Sequence, residues 1–305
     1  MLSRLVPFAL SLSKGERGVF LQPGRSEEAL SCPIVYFMDF SQLASQLFSS
    51  DDHECLAALA GLAEQGNDVL PPPEVLLGLL HCLGHNHKAV QRGAAGQLVR
   101  FARTQPEIVT ALIQKLTDSD PRVRWTAAFT LSQIDLPEPT PLPVLIENLG
   151  HEESDLRWAA ATAVLRLAEQ HPRIVEEVLR LAGSGNPVQR RMALYCLRDL
   201  GQTGLGAQAV YLASLSDPDP MVRLSGLSCL GKLRLASTQA RTSLLRLLET
   251  DPDLGVRRAT AVTLGQLGDS TPAVIESLTR AAQSDDVGLS KAAAGALEKL
   301  KEGES

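Results

Sequence analysis

The chain has 305 residues, of which 44% are hydrophobic but only 4% are aromatic, and its formal net charge is −6. This negative charge gives nucleic acid no general electrostatic attraction, so we expect no nucleic-acid partner. No run of 18 apolar residues occurs in the sequence, which excludes a membrane-spanning helix on length. The five cysteines lack paired spacing, which indicates a reducing compartment, and we expect a cytoplasmic protein.

Residues 1–37 follow no helical period and mix Pro, Gly and Arg irregularly. Arg4 and the short apolar run after it resemble a signal peptide, but no cleavage site follows, and Lys14 and Arg17 interrupt the pattern. We expect an irregular leader, either disordered or a mis-assigned extension. In the second case Met38, where a helical pattern begins, is the true start.

After a short first helix and an atypical helix pair at about 52–65 and 72–84, one pattern recurs about every 33 residues. We call its reference residue position zero. The residues at position zero are Val90, Val123, Leu156, Gln189, Val222, Val256 and Leu289. Position 4 after each is small, and positions 8 and 11 are large and apolar. The spacing 0, 4, 8, 11 places these residues on one face of an α-helix.

The start of each of these helices is also marked in the sequence. Three residues before position zero stand mostly Asp or Asn, whose short side chains cap the free N–H groups of a first turn. These predicted N-caps are His87, Asp120, Glu153, Asn186, Asp219, Asp253 and Asp286. Proline follows at residues 121, 187 and 220, at the first helical position, where a missing N–H costs nothing.

A second apolar run, such as residues 108–116 or 174–181, separates consecutive helices of this kind, so each repeat is a helix pair. We predict an all-α fold: an α-solenoid of about eight helix pairs in a right-handed superhelix over residues 38–301. Residues 302–305 form a tail that we expect to fray. We take the position-zero helix as the first of its pair, with turns such as 136–141 inside the unit, so the last unit has one helix.

The form D-P-x-V-R-x-x-A-x-x-x-L-G-x-L is approached at residues 120–134, 219–233 and 253–267. It resembles the HEAT repeat, particularly the short type of phycobilisome lyases, and the resemblance covers roughly residues 50–301. The resemblance implies an α-solenoid. It also implies one functional alternative, a bilin lyase or a chaperone-type subunit that handles bilin attachment.

An arginine recurs one residue after position zero and forms a ladder along the repeats. The ladder comprises Arg124, Arg157, Arg190, Arg223 and Arg257, beside the caps Asp120, Asp219 and Asp253. The arginines could bind phosphate or an acidic partner. We favour a structural role, in which Asp–Arg hydrogen bonds join neighbouring repeats and satisfy loop groups.

Trp125 and Trp158 stand two residues after position zero in consecutive repeats, and Arg92 and Arg191 continue this row on either side. Trp and Arg carry much of the binding energy at protein interfaces. Packing is the alternative, since large aromatic residues also fill cores. We take these four residues as the candidate protein-binding site.

Two metal-site hypotheses also arise from the sequence. Residues 81–87 contain three histidines and a cysteine, with His53 and Cys55 one helix earlier, which is enough to bind zinc if the helices bring them together. A solvated loop is the favoured reading. His53-Glu54 and His151-Glu152 resemble the metal-binding pairs of deoxyhypusine hydroxylase, whose likeness would imply a di-iron enzyme with four such pairs. Only two are present, and one lies in a predicted loop.

The strong patterns in the sequence are all explained by the solenoid fold, and none of them indicates a catalytic nucleophile, an acid–base pair or a phosphate-binding loop. We therefore predict a non-catalytic protein–protein interaction scaffold without a cofactor, whose partner is another protein. HEAT-like DNA glycosylases would need a cationic groove, which a charge of −7 from Met38 onward disfavours.

Overall fold

The structure, a computed structural model, describes residues 39–65 and 70–302. The predicted leader at residues 1–37 and the last three residues lie outside this part. Sixteen helices and no strand occur among the described residues. The helices are α1 Phe40–Leu47, α2 Asp52–Glu64, α3 Pro73–Cys82, α4 Lys88–Phe101, α5 Glu107–Lys115, α6 Pro121–Leu131, α7 Leu142–Asn148, α8 Ser154–Gln170, α9 Ile174–Ser184, α10 Pro187–Asp199, α11 Leu205–Ser214, α12 Pro220–Leu233, α13 Thr238–Thr250, α14 Leu254–Leu267, α15 Pro272–Ala282 and α16 Val287–Glu302.

The prediction of an all-α solenoid of about eight helix pairs is confirmed. The position-zero helices are the even-numbered helices from α4 to α16. The inner face predicted for these helices is buried most completely at position 4. All seven residues at that position, from Ala94 in α4 to Ala293 in α16, are buried. Position 8 is buried in six of the seven helices, with Leu297 half-buried at the end of the stack. The small residues at position 4 let adjacent helices approach closely, and the large ones fill the remaining space.

The assignment of helices to units needs one correction. Each even-numbered helix packs against the odd-numbered helix before it and, except for α6, which also packs against α7, only slightly or not at all against the one after it. The position-zero helix is therefore the second helix of its unit, and the last unit, α15 with α16, is complete. The proline-rich turn at residues 136–141 joins two units. A period of about 33 residues is the same wherever the unit is taken to begin, so periodicity alone did not decide this.

The helix starts follow the predicted caps where the residue is Asp or Asn. Asp120, Asn186, Asp219, Asp253 and Asp286 accept a backbone N–H in the first turn of their helices. The other two predicted caps make no such bond. In these two helices a histidine two residues earlier accepts the backbone N–H of the cap residue instead, at His85 and His151.

Gln189 is the one polar residue at position zero, and the structure explains it. Its Oε1 accepts the Asn186 N–H at 3.1 Å, which closes a capping box at the start of α10. Its Nε2 donates to the carbonyl of Ile146 on α7 at 3.2 Å. The side chain thus replaces an apolar contact with two hydrogen bonds that fix the helix start and tie it to the preceding unit.

The even-numbered helices stack on one another from α2 to α6 and again from α8 to α16, whereas α6 and α8 make little direct contact and are joined through α7. Two apolar clusters fill the core and meet at α6, which contributes Ala127 and Leu131 to one and Ala128 to the other. No helix in the described ranges is long and apolar enough to span a membrane. The side of the even-numbered helices that faces away from this core carries the candidate site.

Candidate functional site

The two tryptophans of the candidate site differ in exposure. Trp158 on α8 is 47% exposed, whereas Trp125 on α6 is half-buried and packs against the core and against Phe129, with ring centroids 5.5 Å apart. Arg92 on α4 is exposed. Arg191 on α10 is half-buried, and its buried Nε has no hydrogen-bond partner. The row therefore combines a packed ring, an open ring and two cations.

Trp158 stacks on Tyr195, a residue that the sequence analysis did not single out. The two ring centroids lie 5.6 Å apart and the planes differ by 15°. Tyr195 belongs to α10, so the stack crosses from one unit to the next. The guanidinium carbon of Arg198 lies 4.8 Å from the Tyr195 centroid, in cation–π contact. The repeat register could have identified Tyr195, because Phe129 and Tyr195 both stand six residues after position zero.

A polar network continues from this aromatic stack to α12. Arg198 donates to both carboxylate oxygens of Asp199, at 2.9 and 3.1 Å, and to Ser228 Oγ at 2.9 Å. Lys232 Nζ donates to Asp199 at 3.0 Å. Burial alone would raise the pKa of Asp199, but the hydrogen bonds from Arg198 and Lys232 outweigh it and lower the pKa. Asp199 thus stays ionised and holds two cations at the surface.

Positions 2, 6 and 10 after position zero define one exposed surface of the seven even-numbered helices from α4 to α16. We call it the 2-6-10 face. None of its 21 residues is buried. It holds Trp125, Phe129, Trp158 and Tyr195, which are four of the eight aromatic residues found from Met38 onward. Of these four rings only Trp158 is exposed, while Trp125, Phe129 and Tyr195 are half-buried and pack against the core.

A groove of about 1120 Å³ continues this face over α12, α14 and α16. Gly231 and Gly265 lie among its lining residues, and Gly265 lets α14 and α16 approach closely beneath it. Lys232, Gln266 and Lys299, all at position 10, line it. The surface is therefore aromatic over the middle helices and becomes a polar groove toward α16.

The arginine ladder lies at the turns inside the units. Arg124 donates to the carbonyls of residues 118 and 119, Arg157 to those of 151 and 152, and Arg223 to those of 217 and 218. Arg190 bonds the carbonyl of residue 185, and Arg257 that of residue 248. All five thus satisfy carbonyl groups at or near the ends of the preceding helices, which would otherwise lack partners.

Three members of the ladder also reach the next unit, and Arg124 does so at the longest distance, 3.7 Å from Glu147 on α7. Arg190 binds Asp217 through two hydrogen bonds of 2.7 Å, and Arg223 binds Asp251 at 2.8 Å. These partners stand two residues before the cap aspartates, where they also accept the backbone N–H of the cap residue. The aspartates that the sequence analysis placed in the ladder, Asp120, Asp219 and Asp253, instead cap their own helices.

Near the start of the solenoid Cys55 and Cys82 interact with each other, but the histidines do not complete a metal site with them. No group of three or more His, Cys, Asp or Glu side chains in the described part of the chain is arranged to hold a metal ion. His85 lies 3.7 Å from Asp52, and His81 packs against the Phe48 ring at 5.1 Å. Burial raises the pKa of the Cys82 thiol to about 12, so it is not a thiolate at neutral pH. His151-Glu152 lies in the turn before α8, as predicted.

The fold and this surface define the class: an α-solenoid of stacked helix pairs with one exposed aromatic and cationic face. The HEAT repeats family matches residues 76–166 and 209–298, which is more than half of the chain. The chain belongs to the HEAT repeat family. Comparison with curated protein sequences found no match.

Solved structures of Kap121p are similar in fold. Kap121p has 14% sequence identity and a TM-score of 0.60, with 86% of this chain and 34% of Kap121p covered. Kap121p bound to Nup53p gives the same identity and coverage, with a TM-score of 0.62. This chain therefore spans about a third of the length of Kap121p. At this identity the likeness concerns the fold alone.

Human deoxyhypusine hydroxylase in complex with glycerol also matches, with 18% identity over 86% of this chain and 96% of the enzyme, but with a TM-score of 0.37. At a TM-score this low, the match supports no conclusion about activity.

Proposed function

We propose that this chain is a non-catalytic scaffold for protein–protein interaction and that its partner binds on the 2-6-10 face. The observation that carries the proposal is the exposed Trp158 ring stacked on Tyr195. An exposed ring held in place by a half-buried aromatic neighbour gains apolar burial on binding and loses little conformational entropy, because its geometry is already fixed.

The proposal includes Trp125, Arg92 and Arg191 in the same surface. Trp125 shares the register position of Trp158 and is held by the core, so we assign it to the rigid edge of the site. Arg92 and Arg191 supply guanidinium groups on either side, and Arg is enriched among residues that dominate binding energy. The arginine ladder is assigned a structural role, because its members already bond carbonyl groups within the solenoid.

A cytoplasmic location is part of the proposal. All four cysteines of the described residues are free and buried. Cys196 and Cys229 occupy the same register position, and burial raises the pKa of each thiol to about 12. Their role in packing suits a reducing compartment.

The direct test is affinity capture of partners from the source cells by the wild type and by Trp158→Ala with Tyr195→Ala. We expect the double variant to lose at least 30-fold in affinity for a captured protein, the scale of about 2 kcal/mol at a hot spot. Its helical circular dichroism should be unchanged, because neither ring is buried. Equal capture by the variant would contradict the proposed site.

Leu205→Ala is the matched control. Leu205 is 86% exposed but lies on α11, outside the 2-6-10 face. This variant removes a similar exposed apolar group and should capture the partner as well as the wild type does. Loss of capture in the control would mean that binding uses another surface.

A second candidate function, a bilin lyase or chaperone-type subunit, is favoured by one observation. The Trp158 and Tyr195 planes are only 15° apart, a geometry on which a third flat conjugated ring can stack. Titration of the protein with a free linear tetrapyrrole, followed by absorbance, tests it. A spectral shift that Trp158→Ala removes would support this function, and an unshifted spectrum would eliminate it.

A further inference from the structure

The charge of the 2-6-10 face is opposite to that of the whole chain. The chain has 29 Lys and Arg against 35 Asp and Glu. The 21 residues of the face include eight Lys or Arg but one carboxylate, Asp199. Asp155, Glu169, Asp269, Glu298 and Glu302 border the face at positions −1, 9 and 13. The sequence expectation of no cationic surface, based on net charge, therefore does not hold locally.

Most of these cations have no carboxylate partner. Five of the eight make no ion pair or hydrogen bond with any described residue, and they are Arg92, Arg166, Arg191, Lys291 and Lys299. The other three are engaged. Arg100 donates to two backbone carbonyls, Lys232 binds Asp199, and Arg258 binds Asp286. Elsewhere in the solenoid most exposed cations are neutralised, for example Arg180 by Glu177.

The unpaired cations surround the aromatic residues. Arg166 lies two turns beyond Trp158 on α8, and Arg191 lies one turn before Tyr195 on α10. Arg92 lies on α4, at the other side of Trp125 and Phe129. A ligand that covers the rings therefore comes within reach of guanidinium groups on both sides, and those groups gain the counter-charges that the solenoid does not supply.

We propose that the 2-6-10 face binds an acidic, extended segment of a partner protein that also carries apolar or aromatic side chains. This inference rests on the proposed function and specifies the chemistry of the partner. Charge complementarity fixes the sign of the segment, and the Trp158–Tyr195 stack supplies the apolar contact.

The dimensions of the face suit a short segment. The even-numbered helices α4, α6, α8 and α10 carry all the aromatic residues of the face and three of the unpaired cations. Three interhelical steps of about 9 Å or more, since α6 and α8 are joined through α7, span at least roughly 27 Å. An extended chain covers this distance with about eight residues. The groove over α12 to α16, with Lys232 and Lys299, accommodates a longer acidic continuation.

A nucleic acid is the competing polyanion, and the whole chain disfavours it. A long phosphate backbone meets the repulsion of a protein with a net charge of −6, whereas a short peptide meets only the local cationic face. Oligonucleotide binding is therefore an outcome of the test and not the proposal.

The test is selection of a displayed library of random 16-residue peptides on the full chain. We expect the bound peptides to be enriched in Asp and Glu together with Trp, Phe, Tyr or Leu. The most enriched peptide should bind at least fivefold more weakly at 300 mM than at 50 mM NaCl. Arg166→Glu with Arg191→Glu should weaken it at least tenfold.

Arg180→Glu with Arg246→Glu is the control, because it changes the net charge equally on α9 and α13, which lie outside the face. It should leave the affinity within twofold. Enrichment of neutral or basic peptides, or no enrichment, would overturn the inference and leave the scaffold function to its own capture test. Equal weakening by both charge-reversed variants would also overturn it, as would preferential binding of a fluorescent 16-nucleotide oligo(dT).

Discussion

At the scale of single residues, the same register position serves different purposes in different units. Twelve residues after position zero, Gly201 and Gly268 adopt a positive φ that closes the helix. The equivalent residue after α12 is Arg234, with φ 52° and ψ 45°. A side chain in this left-handed conformation costs about 1 kcal/mol, which glycine avoids. The register therefore identifies a locally strained residue.

Replacing Arg234 with glycine should stabilise the protein. Arg234→Gly removes the left-handed strain at the end of α12, and the entropy of glycine in the unfolded chain offsets part of the gain. We expect a net increase of roughly 0.5 kcal/mol in the free energy of unfolding, measured by urea denaturation. Arg234→Ala removes the same charge but keeps the strain, so it should give no increase. A gain in the alanine variant would show that charge, and not conformation, is responsible.

Removal of Asp251 should destabilise the protein strongly. Asp251 is buried, accepts a hydrogen bond from Arg223 at 2.8 Å and also accepts the Asp253 N–H at 2.9 Å. Asp251→Ala leaves the buried guanidinium without its counter-charge, at a cost of about 3–5 kcal/mol in the free energy of unfolding. The control is Glu276→Ala, whose partner Arg280 is exposed, with an expected loss under about 0.5 kcal/mol. Similar losses in both would contradict the burial argument.

At the scale of helices, glycine sets how closely the even-numbered helices approach. A Cβ built on Gly265 of α14 would lie 2.8 Å from the Ala296 Cα on α16, so the two backbones leave no room for a methyl group. Both residues belong to faces that stack along the solenoid. The contact between α14 and α16 is accordingly extensive, and it holds the last unit to the rest.

Alanine at two glycines should have opposite effects on stability. Gly265→Ala forces α14 and α16 apart, and we expect a loss of about 1–3 kcal/mol in the free energy of unfolding. Gly96 lies within α4, and no atom stands within 4 Å of a Cβ built there. Gly96→Ala should therefore gain roughly 0.5–1 kcal/mol from helix propensity. Calorimetric melting of both variants measures this, and a neutral Gly265→Ala would show that the helices can adjust.

At the scale of the whole molecule, ion pairs connect units that already share an apolar core. Arg190 with Asp217 joins α10 to the turn before α12, and Arg258 with Asp286 joins α14 to the turn before α16. In a repeat protein the interfaces between units make unfolding cooperative, so bonds at these positions contribute to cooperativity as well as to stability.

Acid should weaken these connections. Hydrogen bonds from Arg258 and from the Leu289 N–H lower the pKa of Asp286 to about 2, from an ordinary value of 3.8. The pKa of Asp217 is also lowered, because the bonds from Arg190 and the Asp219 N–H outweigh its burial. A lowered pKa in the folded state gives stability that is complete above about pH 4 and is lost as the pH falls toward about 2.

We therefore expect the midpoint of urea unfolding to fall between pH 4 and pH 2, and the transition to broaden as units uncouple. Circular dichroism at 222 nm measures both. Asp286→Asn with Asp217→Asn should lose much of this pH dependence. An unchanged midpoint in the wild type from pH 6 to pH 2 would contradict the argument.

The sequence by itself determined the class of fold and the register of the repeats. The spacing 0, 4, 8, 11 needs only helical geometry, and the caps at Asp120 or Asp219 act on their own helices, so local chemistry was sufficient. The candidate row of Trp125, Trp158, Arg92 and Arg191 followed from the same register.

Only the tertiary structure decided what depends on neighbouring helices. It showed which helix pairs with which, because a periodic pattern has no marked beginning. It showed that Trp158 is open while Trp125 is packed, although both have the same register position, because the neighbours around each ring differ. The stack with Tyr195 and the unpaired state of Arg166 arise between residues far apart in the chain. Their environments were therefore set by packing, which no single segment encodes.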